Sequence, residues 1–266
     1  MESIKLSNGI VMPLLGYGVF RITPGECERR VSEAIETGYR LIDTAQAYRN
    51  EEGVGAAVKG SGVPRKEMFI TTKIWNSNAG YEKAKASIGQ SLRKLRTDYI
   101  DLLLIHQPVG DYFGTWRAME ECYRTGQAKA IGVSNFKPGI FHEFAEKADI
   151  KPMVNQVETH VFWQQQELRN VMNPYGTRIM SWGPLAEGRN HYFTNGTLLR
   201  IGEKYGKTAA QVALRFLTQS NIIAIPKTVR KERMQENIDV FDFRLTDGEM
   251  QAIHLLDRDE TLFYWI

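Results

Sequence analysis

Short apolar runs alternate with longer amphipathic stretches along nearly the whole chain. The runs fall at residues 14–18, 41–43, 69–73, 100–105, 130–134, 154–158, 179–182 and 222–224. They are mostly continuous rather than alternating, which is the pattern of strands buried on both faces. Between them, residues 25–37, 51–59, 81–95, 115–124, 138–146, 165–172 and 208–218 carry apolar side chains at helical spacing. Pro138 suits the first turn of a helix, where its missing N–H has no partner to lose. Gly38 and Gly126 suit the position that ends one. Eight strands with helices between them predict an α/β fold, a (β/α)8 TIM barrel, since a doubly wound sheet usually has fewer strands. Ahead of the first barrel strand, Asn8-Gly9 lies between two alternating runs and predicts a β-hairpin. An extra helix and a short tail are expected after the last strand.

The 266 residues allow one large barrel or two small domains. No Pro/Gly/Ser-rich linker divides them, so residues 1–266 read as a single domain. No apolar run approaches the roughly 20 residues that cross a bilayer. The start, Met1-Glu2-Ser3-Ile4-Lys5, lacks the basic-then-apolar profile of a signal peptide. The expectation is a cytoplasmic protein without membrane partners. A net charge of +3 is too small to argue for nucleic acid. Cys27 and Cys122 have no neighbours at metal-ligand spacing and read as free thiols, and no metal site is expected.

Three successive strand ends carry chemistry. The first apolar run after Arg40 ends on Asp43, with Tyr48 just beyond it, the next ends on Lys73, and the next on His106. An α/β barrel keeps its reactive groups at such ends. A free tyrosine is a poor acid near neutrality, with a pKa of about 10. A neighbouring ammonium stabilises the phenolate. Lys73 can supply that charge, Asp43 can hold Lys73 protonated, and His106 can exchange one hydrogen bond with a substrate oxygen. Together they would protonate a carbonyl oxygen as charge develops on it. Singly, each has a plainer reading: Asp43 as a helix cap or ion-pair partner, Tyr48 as packing, His106 as a strand terminus. Lys73 is the least plain, because an unpaired ammonium after an apolar run is costly.

The stretch Gly38-Tyr39-Arg40-Leu41-Ile42-Asp43-Thr44-Ala45-Gln46-Ala47-Tyr48 with Asn50-Glu51-Glu52-Gly53-Val54-Gly55, together with Thr72-Lys73-Ile74-Trp75 and Leu104-Ile105-His106-Gln107-Pro108, resembles the aldo-keto reductase family over nearly the whole chain. The resemblance implies a catalytic tetrad of Asp43, Tyr48, Lys73 and His106, with Tyr48 as general acid in carbonyl reduction. It also implies NADPH extended across the barrel top. Gly53-Val54-Gly55 is a fragment of the usual dinucleotide fingerprint, but it lies inside a helical stretch and lacks the third glycine, so it is not read as a phosphate site. The implied cofactor residues are Ser134, Asn135 and Gln156 for the carboxamide and Trp182 for the nicotinamide face, where the family often has tyrosine. Lys227, Thr228 and Arg233 are implied for a 2′-phosphate, and Glu236 and Asn237 for adenine. A basic cluster opening a helix is a ready anion site, and it favours NADPH over NADH.

Phe20, Trp75, Gln107 and Trp116 are candidates for the substrate wall. Many relatives have tryptophan where Gln107 stands. Short segments after His106 and after Asp257 suggest an open pocket for small carbonyls, similar to microbial members that reduce diketo-sugar acids or methylglyoxal. The aromatic tail, Phe263-Tyr264-Trp265-Ile266, could fold over the mouth, pack on the barrel side, or meet another chain. A monomer is expected. Two other readings are open: a Schiff-base aldolase using Lys73, and a non-catalytic NADP-binding protein on the same scaffold.

Overall fold

The computed structural model of the chain describes residues 1–263. The last part of the aromatic tail, residues 264–266, lies outside the described residues. An N-terminal hairpin pairs β1 (Ser3–Lys5) antiparallel with β2 (Val11–Pro13). Gly9 turns it at φ 87°, a left-handed conformation that suits glycine. The Asn8 amide donates to Lys129 O, 2.9 Å away near a strand's start, so the hairpin sits at the end of the barrel opposite the strands' C-termini.

Eight parallel strands follow in chain order: β3 (Tyr17–Gly18), β4 (Leu41–Asp43), β5 (Phe69–Ile74), β6 (Ile100–Ile105), β7 (Ala128–Ser134), β8 (Val154–Glu158), β9 (Arg178–Trp182) and β10 (Ile223–Ala224). Each pairs with the next, and a parallel bridge from Leu15 to Ala224 joins the last to the first. The (β/α)8 expectation is met. The seam is tight. A Cβ on Gly18 would meet Ile225 O across it at 3.1 Å, and on the other side of the first strand one on Gly16 would fall 2.4 Å from Leu41 Cγ of β4. Apolar side chains from both strand faces are buried, as the continuous runs required.

The helices are α1 (Pro24–Thr37), α2 (Glu51–Gly60), α3 (Tyr81–Leu95), α4 (Tyr112–Arg124), α5 (Pro138–Lys147), α6 (Gln166–Met172), α7 (Gly196–Tyr205), α8 (Ala209–Gln219), α9 (Lys231–Ile238) and α10 (Asp247–His254). α10 is the expected extra C-terminal helix. Gly53 and Gly55 pack α2 between its neighbours: Cβ atoms there would fall 2.7 Å from Cys27 Cβ and 2.4 Å from Lys94 O. Close helix packing accounts for that glycine pair. α7 was not foreseen, because Gly196 and Gly202 dilute its helical pattern. Gly202 is needed there, since a Cβ would come 2.3 Å from Lys207 O. Asn195 caps α7 through Thr197 N and Leu198 N. Among the described residues, no helix is long and apolar enough to cross a membrane.

Candidate active site

β4, β5 and β6 lie side by side, and their C-terminal ends bring three chemical groups into one place. Alternation along β5 sends Lys73 to one face and Thr72 to the other, where the Thr72 hydroxyl donates to Glu51 Oε1 at 2.7 Å. Lys73 is wholly buried. Its Nζ donates to Asp43 Oδ1 at 2.6 Å, to Thr44 O at 2.9 Å and to Tyr48 Oη at 3.4 Å. An ammonium has three protons, and each has an acceptor. Burial works to lower the Lys73 pKa, but the Asp43 carboxylate and the Tyr48 phenol outweigh it and hold the ammonium above its ordinary value. Asp43 is as deeply buried. Its Oδ2 accepts from Gln156 Nε2 at 2.7 Å. Burial pushes the Asp43 pKa up, against Lys73, which pulls it down.

Tyr48 ends a single 3-10 turn, Gln46–Tyr48, stopped by Arg49 in the left-handed region at φ 57°. Asn50 fixes this loop. Its amide donates to Val19 O and Ile22 O, both at 3.0 Å, and its Oδ1 accepts from the Thr44 hydroxyl at 2.7 Å. The Tyr48 ring lies 5.0 Å from Phe20 and 5.7 Å from His106. Burial raises the phenol's pKa and Lys73 opposes it; the net direction is upward, so the phenol is firmly protonated. Lys73 acts in the expected sense, but burial is the stronger effect. The imidazole of His106 is pushed down to about 3 by burial and by the Lys73 charge, so it is neutral. Its Nδ1 is buried without a hydrogen-bond partner among the described residues. The Trp75 ring meets His106 edge-on at 4.9 Å. The assembly is a neutral phenol backed by a fixed ammonium, facing a neutral imidazole.

Next around the rim come the ends of β7, β8 and β9. The Ser134 hydroxyl donates to Gln156 O at 2.8 Å. The Asn135 amide donates to His106 O at 3.0 Å and to Ser134 Oγ at 3.1 Å, with its backbone at φ 64°. Trp182 Nε1 donates to Asn135 Oδ1 at 2.9 Å. The structure therefore gathers Ser134, Asn135, Gln156 and Trp182 beside the tetrad. On the far side of the seam, Thr228 is buried and its carbonyl accepts from the Tyr17 hydroxyl at 2.5 Å, while Lys227 and Arg233 are exposed. The Glu236 carboxylate accepts from the Thr208 hydroxyl at 2.6 Å, and Asn237 is buried.

Residues 14–258 match the aldo/keto reductase family. The chain belongs to that family. It is 46% identical to glyoxal reductase from Bacillus subtilis, across 97% of this chain and 94% of that protein. It is 41% identical to methylglyoxal reductase DkgA from Escherichia coli, across 97% and 94%. Its fold matches a solved variant of Gox0644 in complex with NADPH at a TM-score of 0.91, with 39% identity over 97% of this chain and 94% of that one. As an aldo/keto reductase, the chain is an NAD(P)H-dependent oxidoreductase.

Within this reductase, the Phe20 ring lies against Tyr48 and the Trp75 ring against His106. Gln107 stands beside Trp75, where its Oε1 accepts from Asn76 Nδ2 at 2.7 Å. Trp116 is a correction. It is buried on α4, donates through Nε1 to Ile150 O and packs edge-on against Phe144 of α5, so it belongs to the outer core rather than to the mouth.

Three site residues went unassigned in the sequence. Gln46 and Asn50 lie in the quoted motif, and their amide side chains flanking Tyr48 were the available signal. Glu158 ends β8 as a buried carboxylate. It accepts from the Thr261 hydroxyl at 2.6 Å and from Leu262 N at 2.9 Å, and lies 2.9 Å from His160 Nε2. This anchor returns the tail to the rim, where the Phe263 ring meets Trp182 edge-on at 5.4 Å.

Proposed function

We propose that this reductase converts small aldehydes and ketones to alcohols, α-dicarbonyls such as glyoxal and methylglyoxal among them, with NADPH as hydride donor and Tyr48 as general acid. The observation that carries the reading is the buried chain of hydrogen bonds from Gln156 through Asp43 and Lys73 to Tyr48 Oη. The rim fits a dinucleotide. Hydroxyl and amide groups of Ser134, Asn135 and Gln156 sit together for a carboxamide, Trp182 offers a flat half-buried ring, and Lys227 and Arg233 give exposed positive charge for a phosphate.

A bound nicotinamide supplies the hydride for the carbonyl carbon. Tyr48 gives its phenolic proton to the carbonyl oxygen as that oxygen gains charge. Lys73, already aimed at Oη, stabilises the phenolate left behind. Asp43 and Gln156 hold the ammonium in register. His106, being neutral, directs the carbonyl oxygen by a hydrogen bond and takes no part as a cation. The same contacts speak against a Schiff base, since Lys73 is held as an ammonium by three acceptors. The two buried thiols, Cys27 and Cys122, suit the reducing cytoplasm.

An initial-rate screen of varied carbonyls, followed by NADPH and NADH absorbance, tests reaction class and cofactor together. Turnover of small aldehydes and α-dicarbonyls with NADPH is expected; binding of NADPH with no turnover across the panel sinks the proposal. Arg233→Ala should raise the KM for NADPH about tenfold, the scale of one charge-assisted hydrogen bond, and leave the KM for NADH unchanged. Equal effects on both cofactors would remove Arg233 from the 2′-phosphate.

A further inference from the structure

We infer that Gln46 is a positioning residue of this site, clamping the turn that carries Tyr48 to the turn that carries Trp75. The inference rests on Tyr48 being the proton donor.

Gln46 opens the 3-10 turn that Tyr48 closes. Its Oε1 accepts from Trp75 N at 3.0 Å and from Asn78 Nδ2 at 2.8 Å. Its Nε2 donates to Ser87 Oγ and Ser91 Oγ, each at 3.1 Å, with Ser87 O at 3.4 Å. One amide thus joins three segments: the Tyr48 turn, the Trp75–Asn78 turn after β5, and the inner face of α3. Both lone pairs and both protons of the amide are used. The rings carried by the two turns meet the same imidazole, Tyr48 at 5.7 Å and Trp75 at 4.9 Å. Any shift of one turn against the other changes how a carbonyl is gripped between them.

The surroundings give these bonds their weight. Gln46 borders a polar cleft of about 700 Å3, also lined by Ala47, Trp75, Asn78, Ser87 and Ser91. Where apolar side chains fill a gap, packing sets the spacing. Here the gap is open, so the hydrogen bonds of one side chain set it. Water can reach groups freed by a substitution, so losing the clamp should loosen the site without unfolding the barrel. Lys73 holds Tyr48 at the hydroxyl; Gln46 holds the backbone that carries the ring.

Two substitutions test this. Gln46→Met keeps the length and apolar stem but removes every hydrogen bond. Gln46→Glu keeps the acceptor for Trp75 N and Asn78 and loses the donors toward α3. In Gln46→Met, amide exchange measured by mass spectrometry should accelerate over residues 75–79 and remain at the parent rate in β4 and β6. The kcat/KM for methylglyoxal should fall about ten- to a hundredfold, as a displacement of an ångström or less would cause, while the NADPH Kd stays within about twofold. Gln46→Glu should keep the protection at residue 75 and recover most of the kcat/KM. Parent-like exchange at residues 75–79 in Gln46→Met overturns the inference, as does a loss that tracks NADPH affinity. If Gln46→Met fails to fold, Asn78→Ala removes one outer bond of the clamp and should still speed exchange at residues 75–79. Parent-like exchange there would be equally fatal. Should the parent reduce no carbonyl, the functional reading fails separately, and the exchange experiment still decides what Gln46 holds.

Discussion

Tyr48→Phe is expected to lower kcat/KM for carbonyl reduction by about 10²–10⁴-fold, the range of a lost general acid, with the NADPH Kd unchanged. The substitution removes one oxygen from a ring whose packing against Phe20 and His106 is otherwise kept. The proton supply is lost, and with it the Oη that accepts from Lys73 Nζ at 3.4 Å. The pH profile gives an independent check. Reduction needs the protonated phenol, so kcat/KM should be flat through neutrality and fall only as Tyr48 ionises. That limb should lie on the alkaline side of an ordinary tyrosine's 10.0, because burial raises the phenol's pKa. No limb is expected near the usual histidine value of 6.5, because His106 is pushed down to about 3. The alkaline limb should vanish in Tyr48→Phe. Retained activity in that variant, or a limb near pH 6.5, would refute the assignment of roles. Initial rates across pH with saturating NADPH decide it.

Lys73→Met carries the second large effect, and it falls on stability as well as rate. The Asp43 and Lys73 side chains are 3% and 1% exposed, respectively, and bonded at 2.6 Å. Removing one partner of a buried ion pair typically costs about 3–5 kcal/mol, because the other is left uncompensated. Among the described residues, Asp43 would keep only the Gln156 donor. Urea unfolding of Lys73→Met should show that loss. Adding Asp43→Asn should restore part of the stability, since a neutral amide needs no counter-charge. Activity should stay low in both, because neither supplies the ammonium proposed to stabilise the Tyr48 phenolate. If the double variant recovered activity along with stability, Lys73 would be a structural lysine and not part of the acid.

The sequence made some of this legible for a physical reason. A lysine, an aspartate and a histidine at the ends of apolar runs are conspicuous, because such runs fold into buried strands whose ends open on the site. Their contacts were less visible. Gln156 donates to Asp43 from 113 residues away across the barrel, and no local pattern encodes that distance. Resemblance implies Gln156 for the carboxamide; that its Nε2 also donates to Asp43 is a contact the sequence does not suggest. Trp116 misled because an aromatic residue shortly after His106 suggests a wall. Its place on the inner face of α4, against Phe144, follows from helical phase. The balance at Tyr48 could not be read from neighbours alone, because burial opposes Lys73 and prevails. Likewise Glu158 looked like one more strand residue until the returning tail supplied its partners.

The parallel order of the sheet also bears on how the molecule assembles. The ion pair behind the phenol joins residues 30 apart, on neighbouring strands linked by a single helix. The seam that closes the barrel depends on contacts such as Tyr17 to Thr228, separated by 211 residues. The entropy lost in closing a loop grows with its length, and distant pairings form slowly. The half of the chain that holds the proposed acid can therefore organise while the last strand is still being synthesised. Lys227, Thr228 and Arg233 reach the rim only when the circle shuts, so the groups proposed to hold the nucleotide phosphate are the last to arrive.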